Sequence, residues 1–364
     1  MTRIKFVDLP PFQDADTIAA RFTATLRRLR AERELAEEND PLDLWDDEGD
    51  LKPSRATQIV TYDDTKKIRR RATLMAERQK INAGVTQLKT EELARITPVL
   101  HGADLVLAQT EHWADEVAAS LHAEMPWMAA ASEYAWHALR RAARRGGGIA
   151  MRPVILNGPP GIGKSVWARK LADRLSLPMV DIDASKGGAG FALAGVERGW
   201  GTTLPGRPLE LILAKRIANP IVIVDEVCKA KHGTSTSGTG HSFADALLAL
   251  IEPATAAEWE CPYFRLQFDM SHILWVMTAN DVDRAPEPVR SRCQVIQLPD
   301  ITPAQIADFA MAEGRRMGLS EAGIAAVLDT IEAAPRILKR RLSLRDVIRM
   351  LAVGEALETR PRLQ

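Results

Sequence analysis

The stretch "VILNGPPGIGKSVWARKLADRL", residues 154 to 175, restricts the possible folds more than any other part of this 364-residue chain. A short apolar run delivers the backbone into a glycine-rich turn, and the turn opens an amphipathic helix. The turn reads Gly158, Pro159, Pro160, Gly161, Ile162, Gly163, Lys164, Ser165 and fits G-x-x-x-x-G-K-[ST]. Backbone N–H groups of such a turn, with a helix N-terminus behind them, form a nest for polyphosphate. In that nest Lys164 neutralises the β- and γ-phosphates, and the Ser165 hydroxyl is a ligand for Mg²⁺.

The same alternation continues downstream. Apolar runs at 154–157, 179–183 ("MVDID"), 221–225 ("IVIVD"), 273–280 ("ILWVMTAN") and 293–298 ("CQVIQL") are separated by amphipathic segments. Continuous apolar strands between helices predict an α/β fold with a five-stranded parallel sheet covered on both faces. After 300 only helical patterns remain, the first opened by a capping box of Thr302, Pro303 and Gln305. This predicts a small helical domain over 301–364.

Ligands of open α/β sheets bind at the carboxyl ends of the strands, and three of the runs end on polar residues. "IVIVDE" puts Asp225 and Glu226 there. Asp225 is placed to hold the Mg²⁺ shell and Glu226 to polarise an attacking water. "MTAN" ends on Asn280, a neutral amide that can hold that water or the γ-phosphate without added repulsion. Arg290 and Arg292 ("PVRSRC") and Arg345 ("LSLRD") supply guanidinium groups, which stabilise charge on a transferring phosphoryl group, often from a neighbouring subunit.

Upstream, residues 1–124 read as a mainly helical region and 125–300 as the α/β core. Residues 19–38 have helical character, with Phe22, Leu26 and Leu29 on one face, and "EENDPLDLWDDEGD" follows as an acidic linker containing Trp45. "KKIRRRATLMAERQK" reads as an exposed basic helix face. Val106, Trp113, Val117 and Leu121 fall on one helical stripe. Pro126 opens a helix that ends at the glycines 146–148, with Trp127, Tyr134 and Trp136 as packing residues.

Net charge is zero, so no global attraction to nucleic acid or anionic membrane is expected. Three scattered cysteines (Cys228, Cys261, Cys293) offer neither a disulfide framework nor a zinc site. With no apolar signal core at the N-terminus and no run of about 18 apolar residues, a cytoplasmic location is expected.

Taken together, these motifs resemble an AAA+ ATPase and, more narrowly, the ATPase module of bacterial Lon proteases, over about residues 150 to 360. Three stretches carry the likeness: "GVERGWGTTLPGRPLELI", "FADALLALIEPATAAEWECPYFRLQFDMSHILWVMTAN" and "APEPVRSRCQVIQLPDITPAQ". The resemblance implies an AAA+ P-loop domain followed by a helical lid, with ATP and Mg²⁺ as cofactors. It makes Asn280 the sensor-1 residue, Arg292 the arginine finger of a neighbouring subunit and Arg345 the sensor-2 arginine. Trp200, between Gly199 and Gly201, falls on the pore-loop aromatic that grips polypeptide; the family has an apolar residue next, where this chain has Gly201. A second polar loop, 231–241, with His232 and His241, could also face the channel. The implied assembly is a homo-oligomer, a hexamer, which threads or remodels a polypeptide substrate chosen by the N-terminal region. The peptidase domain that follows the lid in Lon is not in this sequence, so no protease activity is expected from it. An AAA+ ATPase acting on nucleic acid through "KKIRRR" and a nucleotide-gated scaffold remain the alternatives, with nucleic acid and membrane disfavoured as partners.

Overall fold

The computed structural model describes residues 2–10, 12–38, 60–186, 188–197, 204–230, 242–337 and 341–359. The sequence readings at Trp45, Trp200, His232 and His241 lie outside the described residues. Two compact units divide the chain: Leu9–His101, and Gly102–Gln364 together with Met1–Asp8.

In the smaller unit, helix α1 (Ala15–Glu38) packs along α2 (Tyr62–Asn82), and α3 (Thr90–Ile96) follows. A capping box of Thr61 and Asp64 starts α2, and Asp64 also accepts from Arg30 of α1 at 2.8 Å. Among the described residues, the apolar contact between them is small. Ile18 meets Ala72 and Ala76, with Phe22 alongside. Alanines at i and i+4 let the helix axes approach but bury little apolar surface.

The larger unit begins with strand β1 (Thr2–Ile4), paired antiparallel to β2 (Ala103–Leu105). Helices α4 (Glu111–Glu124) and α5 (Ala129–Arg145) pack on each other. Thr110 caps α4, its hydroxyl accepting from the Trp113 N–H, so the helix starts at Glu111. Val106 therefore does not join the stripe of Trp113, Val117 and Leu121. It lies on the extended chain before the helix, where its N–H donates to Asn219 Oδ1 at 3.0 Å. Gly146, in the left-handed region, ends α5.

The main sheet comprises β3 (Val154–Asn157), β4 (Met179–Asp183), β5 (Ile221–Asp225), β8 (Leu274–Ala279) and β9 (Gln294–Gln297). Its order is β4-β5-β8-β3-β9, and every pairing is parallel. The intervening segments are α6 (Lys164–Leu175), α7 (Ala189–Ala194), α8 (Arg207–Lys215), α9 (Phe243–Ile251), α10 (Pro253–Ala257), the hairpin β6 (Trp259–Cys261) and β7 (Leu266–Phe268), and α11 (Glu287–Arg292). The four apolar residues of β5 and all six residues of β8 are buried, as a sheet covered on both faces requires. Three further helices, α12 (Pro303–Met317), α13 (Glu321–Ile337) and α14 (Leu344–Glu358), close the unit. The Thr302–Gln305 capping box forms as its sequence indicates. Parallel strands in this order bring the ends of β3, β5 and β8 side by side at one edge.

Candidate nucleotide site

The glycine turn between β3 and α6 adopts backbone angles that need its glycines. Gly161 and Gly163 have φ of +81° and +91°, a region open to glycine at little cost. The turn also touches its surroundings closely. A Cβ at Gly161 would stand 2.5 Å from Ser343 Cβ, and one at Gly163 would stand 2.8 Å from Met125 Cε. Gly161 O accepts from the Leu344 N–H at 3.2 Å, which seats the start of α14 on the turn.

Lys164, the first residue of α6, is buried. Its ammonium donates to Gly158 O (2.7 Å), Pro159 O (2.9 Å) and Asn280 Oδ1 (2.9 Å). Burial pushes its pKa down to about 8, and the Arg345 charge acts in the same direction, against Asp225 and Glu226. Extra negative charge from a polyphosphate would stabilise the ammonium.

Asp225, at the end of β5, is held by two hydroxyls. Ser165 donates to its Oδ1 at 2.5 Å and Thr278 to the same oxygen at 3.1 Å. Arg169, one turn into α6, lies 4.0 Å from Oδ2. A hydroxyl and a carboxylate so close are hard oxygen donors of the kind Mg²⁺ selects. Glu226 sits at φ +59° and ψ +42°, a left-handed conformation that costs a non-glycine residue about 1–3 kcal/mol. Its N–H donates to Thr278 Oγ1 at 3.1 Å, and its carboxylate accepts from Lys229 Nζ at 2.7 Å. Thr278 thus fixes both acidic residues of "IVIVDE".

These groups face a cavity of about 1030 Å³ between the sheet edge and the C-terminal helices. Gly161, Gly163, Lys164, Ser165, Asp225, Glu226, Thr278, Asn280 and Arg345 all line it. Pro160 joins them from the turn, while Ile162 is buried beneath it. One side is apolar, built from Met125, Trp127, Phe309, Leu344 and Ile348. Arg292 lies elsewhere. Its Nε donates to Glu252 Oε2 at 2.6 Å and its Nη1 to Pro288 O at 3.0 Å, and it is not part of the cavity wall. Arg290 is likewise paired, with Asp283 at 2.8 Å. Beside the segment that holds Trp200, Gly195 bridges Pro205, and the Val196 N–H donates to Leu204 O at 3.0 Å.

Among the site residues that the sequence reading does not place there, two make hydrogen bonds that shape it. Thr278 is one, although a hydroxyl two places before Asn280 at a strand end was the available signal. Trp127 is the other. Its indole N–H donates to Ile162 O at 2.8 Å, and its ring meets Phe309 of α12 edge to face at 6.1 Å. A tryptophan directly after Pro126 marks a helix entry, and nothing local announces a partner 35 residues away.

The fold and this constellation define a P-loop α/β domain. Residues 154–300 match the family described as ATPase family associated with various cellular activities (AAA). Among curated proteins it is 32% identical over 199 residues to Lon protease 4 of Sorangium cellulosum, covering 51% of this chain and 24% of that protein. It is 29% identical over 153 residues to Lon protease of Helicobacter pylori (42% and 18%). It is also 29% identical over 185 residues to the peroxisomal Lon protease homolog 2 of Oryza sativa subsp. indica (50% and 20%). The chain thus spans about a quarter or less of the length of these relatives. Among the described residues, no helix is long and apolar enough to cross a membrane.

Proposed function

We propose that the chain is an oligomeric, Lon-like AAA+ motor that hydrolyses Mg²⁺–ATP in the cavity at the sheet edge and uses the energy to thread or remodel polypeptides. The observation that carries this reading is the convergence on one cavity of Lys164, Ser165, Asp225, Glu226, Asn280 and Arg345, drawn from four separate stretches of sequence.

Bound Mg²⁺–ATP would supply the transferable phosphoryl group and the Lewis acid at its oxygens. The protein's part is positioning and charge. The Gly158 N–H donates to Ala279 O at 3.2 Å and Pro159 and Pro160 have none, so the N–H groups available to the phosphates are those of Gly161, Ile162 and Gly163 and the start of α6, while Ser165 and Asp225 would hold the metal. Lys164 exchanges its three neutral acceptors for phosphate oxygens. Glu226 accepts a proton from water at its carboxylate once Lys229 is displaced, and Asn280 orients that water. Arg345 lines the cavity from α14 and would meet the γ-phosphate of a bound nucleotide, which would couple closure of the C-terminal helices to it. Arg292 serves the cavity of a neighbouring copy in a hexameric ring, and Trp200 grips the polypeptide in its channel. We assign residues 125–300 to the ATPase core, 301–364 to the lid and 1–124 to substrate choice in the cytoplasm.

Nucleotide binding and turnover of Glu226→Gln test the catalytic part. The variant should bind ATP like the wild type and lose about 10²–10⁴-fold in turnover. Unchanged turnover would remove Glu226 from its role. Trp200→Ala tests the motor, because it should retain ATP hydrolysis and lose polypeptide remodelling.

A further inference from the structure

Among the described residues of the smaller unit, nothing covers one face of α2. Helix α2 carries seven Lys and Arg residues against three Asp and Glu. Lys67, Arg70, Arg71, Leu74, Arg78 and Ile81 follow one another at spacings that keep them on one side of the helix, opposite Ala72 and Ala76. All six are exposed, Leu74 at 52% and Ile81 at 64%. None of the four cations has a salt-bridge partner among the described residues. Asp63 and Glu77 share the side but leave it net positive.

We infer that this face of α2 is a docking surface for an acidic polypeptide segment carrying apolar side chains. Two features together select that partner. Unpaired cations around the face attract and orient an acidic chain. Leu74 and Ile81, two turns apart along its middle, offer the i, i+7 anchors of helix-face recognition. A nucleic-acid backbone would match the charges and leave both apolar side chains against phosphate. A second α2 would match the apolar residues and set like charges opposite one another. The small apolar contact of the α1–α2 pair among the described residues gives the same indication, because Leu74 and Ile81 lie outside it. The chain itself contains a segment of the required chemistry. Residues 37–50, "EENDPLDLWDDEGD", hold eight acids, no Lys or Arg, and Leu42, Leu44 and Trp45.

The inference is independent of ATP hydrolysis and is tested without nucleotide. The probe is a fluorescein-labelled synthetic peptide with the sequence of residues 37–50, titrated with the full chain carrying Asp43→Lys/Trp45→Ser/Asp46→Lys/Asp47→Lys, so that its own copy of the segment does not compete, and followed by anisotropy. Binding is expected. It should weaken more than tenfold in Lys67→Glu/Arg70→Glu/Arg71→Glu and by about tenfold in Leu74→Ser/Ile81→Ser, each removing exposed atoms only. It should also weaken several-fold between 50 and 300 mM salt. Three results would overturn the inference: no binding, binding that survives both variants, or displacement of the peptide by a 20-nucleotide oligothymidylate at equal concentration.

Discussion

The end of the main sheet and the exposed face of α2 both gather positive charge, and they treat it in opposite ways. Lys164 is buried with three oxygen acceptors around its ammonium. Lys67, Arg70, Arg71 and Arg78 stand in solvent without a partner among the described residues. The apolar side chains follow the same division. Trp167 of α6 and Trp275 of β8 are fully buried, whereas Leu74 and Ile81 are exposed. A buried cation needs partners that the fold itself supplies, and the proposed nucleotide site has Lys164 exchange them for the oxygens of a small anion. On the docking proposal, the exposed cations and apolar residues of α2 meet a larger partner.

The largest predicted effect lies at the pocket. Lys164→Ala should cost about 10²–10³-fold in ATP turnover, the scale of a lost preorganised donor, while charge reversal at Lys67, Arg70 and Arg71 should leave basal turnover within twofold. Steady-state phosphate release measures both, and equal losses would end the distinction between the regions. Stability should divide in the same way. Trp275→Ala should cost about 3–5 kcal/mol in urea unfolding, and Leu74→Ser should stay within about 0.5 kcal/mol.

Thr278→Val sharpens the picture of the pocket. It removes the donor to Asp225 and the acceptor of the Glu226 N–H, a loss of about 1–3 kcal/mol for groups left unpaired. Turnover should fall about tenfold or more with ATP affinity less affected. A wild-type rate would mean that the two acids hold their positions without it. The smallest effect concerns the thiols. Burial pushes Cys261 up to about 11 and Cys293 up to about 12, so at pH 8 both stay protonated and unreactive. Mass spectrometry after iodoacetamide should find Cys228, only half-buried, modified first and the other two only after denaturation.

The sheet was legible because its strands are continuous apolar runs, and each appears within a residue or two of its run. The site was legible where chemistry is local. The turn 158–165 and the Asp225–Glu226 pair are readable as strings because a strand end and a helix start fix their geometry. Thr278 and Trp127 were not, because their roles depend on partners 52 and 35 residues away. Val106 was misplaced because a stripe counted backwards from Trp113 runs through Thr110, whose hydroxyl sets the first turn of α4.

Arg292 decides the central claim, that ATP is cleaved at a junction between two copies of the chain. Arg292→Ala and Glu226→Gln are each expected to lose about 10³-fold in turnover when alone. Mixed in equal amounts and allowed to exchange, they should regain turnover at about a quarter of the sites, where an intact Glu226 meets a neighbour's intact Arg292. A mixture no more active than its components would mean that both residues act within one subunit, and the shared site would be wrong.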